Sequence, residues 1–180
     1  MKKLLSNRKL TLALVFCLLS VCAITAYAAV ITVRLALGTI PSSELFNGGP
    51  ADIAVSQITM QPGDVIPWHY HPGRAYVIVK SGTVTEEEGC GGSEAFVAGQ
   101  AFEEPIPRVH QVRNTGSVPA ELFATVIAPA GQPRTINTAG PLCGPPANVE
   151  QCKNNGWMNF NFPRAFDSQG DCVSSVETGK

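Results

Sequence analysis

Between residues 51 and 127 the chain is a series of short apolar or alternating runs, each closed by glycine, proline or asparagine. Ala51-Asp52-Ile53-Ala54-Val55-Ser56-Gln57-Ile58 alternates in part, and a period of two sends successive side chains to opposite faces of a strand. Pro62-Gly63-Asp64 reads as a turn into a strand from Val65 to His71, which Pro72-Gly73 turns back. Ala75-Tyr76-Val77-Ile78-Val79 is strongly apolar and ends at Ser81-Gly82, after which Thr83-Val84-Thr85 opens another strand. Cys90-Gly91-Gly92 and Gly99-Gln100 are turns on either side of a strand at Ala95–Val97. Further strands are expected at 101–104, 109–113 and 120–127. Ala29 to Leu37 reads as a first strand or arm, followed by a loop from Gly38 to Pro50.

About nine short strands, turns roughly every eight to twelve residues and no long helical period predict an all-β antiparallel sandwich or barrel over residues 29–128. Residues 129–146 contain five prolines and three glycines without apolar periodicity, so 129–147 reads as a linker on the surface. Residues 148–180 form a short aromatic, cysteine-bearing tail.

The start of the chain has a different character. Lys2, Lys3, Arg8 and Lys9 precede an uncharged run from Leu10 to Val33, and Ala26-Tyr27-Ala28 has the small-x-small form of a signal-peptidase site. Residues 1–28 are therefore expected to be a cleaved secretory signal, leaving a periplasmic or extracellular protein. The alternative is an uncleaved membrane anchor, because the uncharged run is long enough to span a bilayer core of about 30 Å. Loss of the leader would move the net charge from −1 to −5. An acidic protein without a basic patch argues against nucleic acid as a partner. Cys90, Cys143, Cys152 and Cys172 would remain, an even number that in an exported chain predicts two disulfides, with three connectivities open. No C-x-x-C pair points to a thiolate metal site instead.

The chemistry is concentrated in the histidines. His69 and His71 lie two apart on an expected strand, so they share a face with Cβ atoms about 7 Å apart. Imidazoles so placed can converge on one ion, and His110, the one remaining histidine, sits on a different strand.

These positions resemble the paired motifs of the cupin superfamily. Gly63, His69, His71 and Gly82 fall on the first motif, and Gly99, Pro105, His110 and Asn114 on the second. Two positions depart from it: Ala75 stands where the first motif has glutamate, and Pro107 where the second has glycine. The resemblance, over about residues 50–128, implies a small jelly-roll barrel with His69, His71 and His110 pointing inward as ligands of a divalent transition metal. Iron(II) is the first expectation, with zinc, manganese or nickel as alternatives. Three histidines without the glutamate would leave the site one charge more positive, as in some cupin-type dioxygenases. Strand parity then puts Ala75, Val77 and Val79 inward, and Val112 beside His110. With Phe102, the residues Val77, Val79 and Val112 are the expected substrate-pocket lining.

The acidic runs Glu86-Glu87-Glu88 and Glu103-Glu104 are expected to be solvated strand ends. Glu104, close before His110, is the one best placed to replace the missing carboxylate. Arg74 and Arg113 are expected to pair with these acids rather than hold substrate. The tail is similar to a Cys-Lys-x-Gly-Gly-Trp … Asn-Gln-Gly-x-Cys-Val pattern of exported bacterial proteins, with Asn155 and Ser168 departing from it. About thirty residues bury little core alone, so a Cys152–Cys172 staple is expected, with Cys90–Cys143 as the second bridge. Two functional readings follow. One is a metal-dependent, dioxygenase-like oxidoreductase acting on a small organic molecule. The other is a non-catalytic module binding a small ligand or carbohydrate. Either is compatible with a monomer or a homodimer.

Overall fold

The computed structural model describes residues 29–179 apart from Pro105, Pro107 and Pro163. The expected leader lies outside the described residues, as does its alternative, the membrane anchor, up to residue 28, while residues 31–33 of that uncharged run belong to a strand. Among those residues no helix is long and apolar enough to cross a membrane.

Nine strands form the barrel: β1 (Ile31–Ile40), β2 (Ala51–Met60), β3 (Val65–Tyr70), β4 (Ala75–Ser81), β5 (Thr83–Gly89), β6 (Gly92–Val97), β7 (Ala101–Glu104), β8 (His110–Asn114) and β9 (Ala120–Pro129). With β10 (Ile136–Asn137) they make two facing five-stranded sheets, ordered β1-β2-β9-β4-β7 and β10-β3-β8-β5-β6. All pairings in both sheets are antiparallel. This is the expected all-β jelly-roll architecture. β1 runs three residues into the stretch expected as loop, because Gly38, Thr39 and Ile40 continue its ladder against Ile53, Asp52 and Ala51.

The apolar period of two fills the interior. Met60, Val77, Val79, Val84, Phe96, Phe102, Val112, Ala120, Leu122 and Ala124 form one buried cluster. Phe96 and Phe102 stack across it at 4.1 Å between centroids. Gly82 has a left-handed φ of +80°, and a Cβ there would meet the Ala120 backbone at 2.7 Å, so the β4–β5 turn admits no side chain. Asn114 is the buried clamp of the β8–β9 turn. Its Nδ2 donates to the Met60 and Val118 carbonyls and its Oδ1 accepts from Gly116 N–H.

The segment expected as a linker is more structured than its composition implied. β10 pairs with β3, Thr138 N–H donates to the Trp68 carbonyl at 3.0 Å, and a Cβ at Gly140 would lie 3.1 Å from Trp68 Nε1. Trp68 therefore holds this segment against the barrel. Beyond it, β11 (Leu142–Cys143) pairs in parallel with β12 (Phe160–Phe162), and α1 spans Gln169–Thr178. The helix was not anticipated, although its signals are present. Ser168 Oγ caps Asp171 N–H, and Gly179 closes the helix at φ +68° with its N–H on the Ser175 carbonyl.

Both expected disulfides form, Cys90–Cys143 with Cα atoms 5.4 Å apart and Cys152–Cys172 with 5.7 Å. Cys152 and Cys172 join Phe160 and Phe166 in a satellite core against which Trp157, Val173 and Val176 pack. Replacing Cys152 and Cys172 by serine is expected to cost about 3 kcal/mol of tail stability, the loop-closure value for a ring of this size. Limited trypsin digestion checks it: cleavage after Lys153 should accelerate while the barrel resists. Unchanged resistance of the tail would contradict the staple.

Candidate metal centre

The site begins with the pairing of β3 and β8. His69 lies directly opposite His110, and Ile66 opposite Val112, so β3 carries one residue more than its partner between these pairs. A bulge at Pro67-Trp68 absorbs the difference, at a proline that has no N–H to give the ladder. The bulge keeps Ile66 and His69 on the same inner face. His71 follows just past the end of β3, on the same side.

All three imidazoles are buried, at 3%, 4% and 0% exposure for His69, His71 and His110. Their ring centroids are 4.4 to 5.5 Å apart. Each Nδ1 faces a backbone carbonyl: His69 that of Pro67 at 2.7 Å, His71 that of Arg134 at 2.6 Å, and His110 that of Arg108 at 3.0 Å. A carbonyl only accepts, so each Nδ1 carries the hydrogen and each Nε2 keeps its lone pair. Among the described residues His110 Nε2 is buried without a hydrogen-bond partner.

The fourth member is Glu104. The missing carboxylate position, Ala75, is paired across β4 and β7 with Glu104. Ala75 has no atoms beyond Cβ, which leaves room for the neighbouring strand's carboxylate to reach the centre. Glu104 is 6% exposed, and its Oε2 lies 2.9 Å from His71 Nε2 and 3.7 Å from His110 Nε2. The expectation of a solvated strand end holds for Glu103, whose carboxylate meets Arg74 at the surface, and fails for Glu104. Parity is the reason: Phe102 faces inward opposite Val77, so Glu104 does too. The expectation of a site lacking a carboxylate is corrected by the same observation.

One ligand atom from each of His69, His71, Glu104 and His110 lies within 4.8 Å of all the others. Donors bonded to a common ion at about 2.1 Å lie roughly 3–4 Å apart, so small adjustments suffice to close this set on a metal. The chemistry of the donors points the same way. A lone pair on His71 Nε2 facing a carboxylate oxygen at 2.9 Å repels it unless a cation, either a proton or a metal ion, lies between them.

Burial alone would raise the Glu104 carboxyl, but the imidazoles of His110 and His71 beside it hold it well below the usual carboxylate range. Burial alone would lower His110, but the Glu104 carboxylate, the Arg108 carbonyl and Glu86 raise it. His69 is pushed down to about 4, first by burial and then by the charge of His110.

A further acid escaped the sequence reading. Glu86 was expected in solvent, but on β5 it follows the inward parity of Val84 and is 7% exposed. Burial raises its carboxyl to about 7 against the pull of His110, and its Oε1 has no hydrogen-bond partner among the described residues. Glu87 and Glu88 pair with Arg113 and Arg108 nearer the surface. The tail contributes to this wall as well: Asn161 Nδ2 donates to the Glu88 and Val109 carbonyls, bridging β5 and β8 next to His110.

A cavity of about 330 Å³ opens beside the centre, lined by His69, His71 and Glu104 with Val30, Ile58 and Val126 among its apolar residues. Val77, Val79, Phe102 and Val112, expected as the pocket lining, are instead packed in the buried core cluster. Their inward parity is as expected, but side chains fill the barrel at their depth, and the open space lies on the side of β1, β2 and β9.

Residues 56–128 match the family model "Cupin domain". No curated protein sequence matches the chain. Among solved structures, a double-stranded β-helix protein from Klebsiella pneumoniae is 22% identical, with a TM-score of 0.47 over 63% of this chain and 89% of that one. A cupin superfamily protein from Desulfitobacterium hafniense is 12% identical, with a TM-score of 0.42 over 55% of this chain and 77% of its own. A recombinant oxalate oxidase in complex with glycolate is 18% identical, with a TM-score of 0.44 over 63% and 57%. Matched motif, strand order and inward histidines together make residues 56–128 a cupin domain.

Proposed function

We propose that this protein binds one divalent transition metal ion through His69, His71, His110 and Glu104, and uses it to act on a small organic molecule in the adjoining cavity. The observation that carries the reading is the convergence of three Nε2 lone pairs and one carboxylate on a single buried point, with every Nδ1 tied to a carbonyl behind it. Such outer hydrogen bonds orient metal-binding imidazoles and raise their basicity. Three nitrogens and one oxygen suit iron(II), with manganese, nickel and zinc as alternatives.

When bound, the metal would supply Lewis-acid polarisation and an open position for substrate or oxygen, the dioxygenase-like chemistry this reading favours. The protein's own part is to exclude water with the apolar wall of Val30, Ile58 and Val126 and to hold the ligands in one orientation. The two disulfides accord with a location outside the cytoplasm.

Elemental analysis of the purified protein tests the metal, and substrate-dependent oxygen uptake of the iron(II)-loaded protein tests the chemistry. One equivalent of metal is expected, and a protein that takes up none would overturn the assignment. Metal without turnover of any oxygen-dependent substrate would favour the binding-module reading. Metal should also leave on acidification, because ligation needs neutral His110, whose raised pKa favours its proton. Bound metal measured against pH should fall as pH drops through and below the ordinary histidine range near 6.5.

A further inference from the structure

The cations of this protein divide into two groups. Arg74, Lys80, Arg108, Arg113, Lys153 and Arg164 each form an ion pair with a glutamate or aspartate. Among the described residues Arg34 and Arg134 are in none. They are far apart in sequence, one on β1 and the other between β9 and β10, yet both line a single cavity of about 320 Å³ with Ala54 and Pro133. Thr32, Ser56, Val126 and Thr135 line both this cavity and the one beside the histidines. The two spaces therefore abut, and together they run from two unpaired guanidinium groups to His69, His71 and Glu104.

The placement follows from the fold. Arg34 pairs with Ser56 across β1 and β2, two residues along from Thr32 opposite Ile58, so it shares the row of Thr32 that lines the cavity, and both side chains are exposed. Arg134 is fixed by its own backbone, because its carbonyl accepts the Nδ1 hydrogen of His71 at 2.6 Å. The acids nearby are Asp52 and Glu104. Asp52 feels the charge of Arg134, but its carboxylate is taken by the Thr39 hydroxyl and the Gly131 N–H. Glu104 belongs to the histidine cluster.

We propose that the ligand of this cavity is a small amphipathic organic anion. Its carboxylate or phosphate is held by Arg34 and Arg134, its short apolar body lies against Val30, Ile58 and Val126, and its far end reaches the histidine centre. Arginine offers a planar fork of donors that matches such oxyanions, and the wall between is apolar with a few hydroxyls, as in small-molecule sites generally. The proposal specifies the substrate class of the metal site described above and rests on that reading for the role of the far end alone.

Isothermal titration with hexanoate, hexyl phosphate and the uncharged hexanamide tests it, on the full-length protein and on Arg34→Gln and Arg134→Gln, with metal content measured on every sample. At least one of the two anions should bind about tenfold or more tighter than hexanamide. Each substitution should weaken that anion by about tenfold and leave hexanamide unchanged, as expected for loss of a charged hydrogen bond. Affinity should also fall with added salt. Hexanamide binding as tightly as both anions, or anion affinity indifferent to both substitutions, would overturn the proposal. A carboxylate bound by the metal alone would give the second outcome. If metal is absent while the arginine dependence holds, the anion site stands and the metal reading fails. If metal is present while the dependence is missing, the reverse holds.

Discussion

Glu104→Gln is expected to lower metal affinity by at least about 100-fold, the upper end of what loss of an outer-shell partner costs, since here a ligand itself is lost. Glutamine keeps the size and burial of the side chain but removes the charge that offsets a divalent ion in a site otherwise made of neutral imidazoles. Chelator competition at fixed pH measures the change. A second substitution makes the result specific. Ala75 sits directly across from Glu104 in the β4–β7 register, at the position where the first cupin motif carries its glutamate. Adding Ala75→Glu to Glu104→Gln should therefore return most of the lost affinity by delivering a carboxylate to the same point from the neighbouring strand. Affinity unaffected by Glu104→Gln would remove Glu104 from the ligand set, and failure of Ala75→Glu to restore it would show that the two positions are not interchangeable.

That exchange also explains what could be read from the sequence and what could not. The histidines were legible because strand parity and motif spacing are local: His69 and His71 two apart, His110 on a strand with its own turn signals. The carboxylate was not, because its place depends on which strand lies beside β4, and a pairing between residues about thirty apart leaves no local trace. Parity held a clue, since Phe102 facing the core requires Glu104 to face it as well, but the facing of Phe102 depended on that same pairing. Glu86 was misplaced for a related reason. Three consecutive glutamates look like a solvated run, yet alternation forces the first of them to the inner face of β5 behind Val84. The pocket residues failed in depth, because Val77, Val79, Phe102 and Val112 face inward at a level the core already fills. Trp68 packs against the proline-rich segment around Gly140, which was expected to be a linker on the surface.

The second large effect concerns Glu86 and appears in the metal-free protein. Its carboxyl has an ordinary value of 4.5 and is raised to about 7 in the fold, so the folded state disfavours its charged form. Below pH 4.5 folded and unfolded chains both hold the proton. Between 4.5 and 7 the unfolded chain has lost it and the folded chain keeps it, so stability falls as pH rises through that window, by about 1.4 kcal/mol per pH unit and about 3 kcal/mol in all. Glu86→Gln, which mimics the protonated acid at all pH values, should therefore match the wild type near pH 4.5 and exceed it by about 3 kcal/mol at pH 8. Denaturant unfolding of both proteins at the two pH values checks this. Equal stability at pH 8 would mean that the carboxylate is solvated or paired. Metal loading should shrink the gap, because a cation held by His110 and Glu104 favours a negative charge on the acid whose field already reaches both residues. The unpaired Glu86 carboxylate is thus a cost of the metal-free protein that a bound ion would relieve, so metal should stabilise the wild type at pH 8 by more than it stabilises Glu86→Gln.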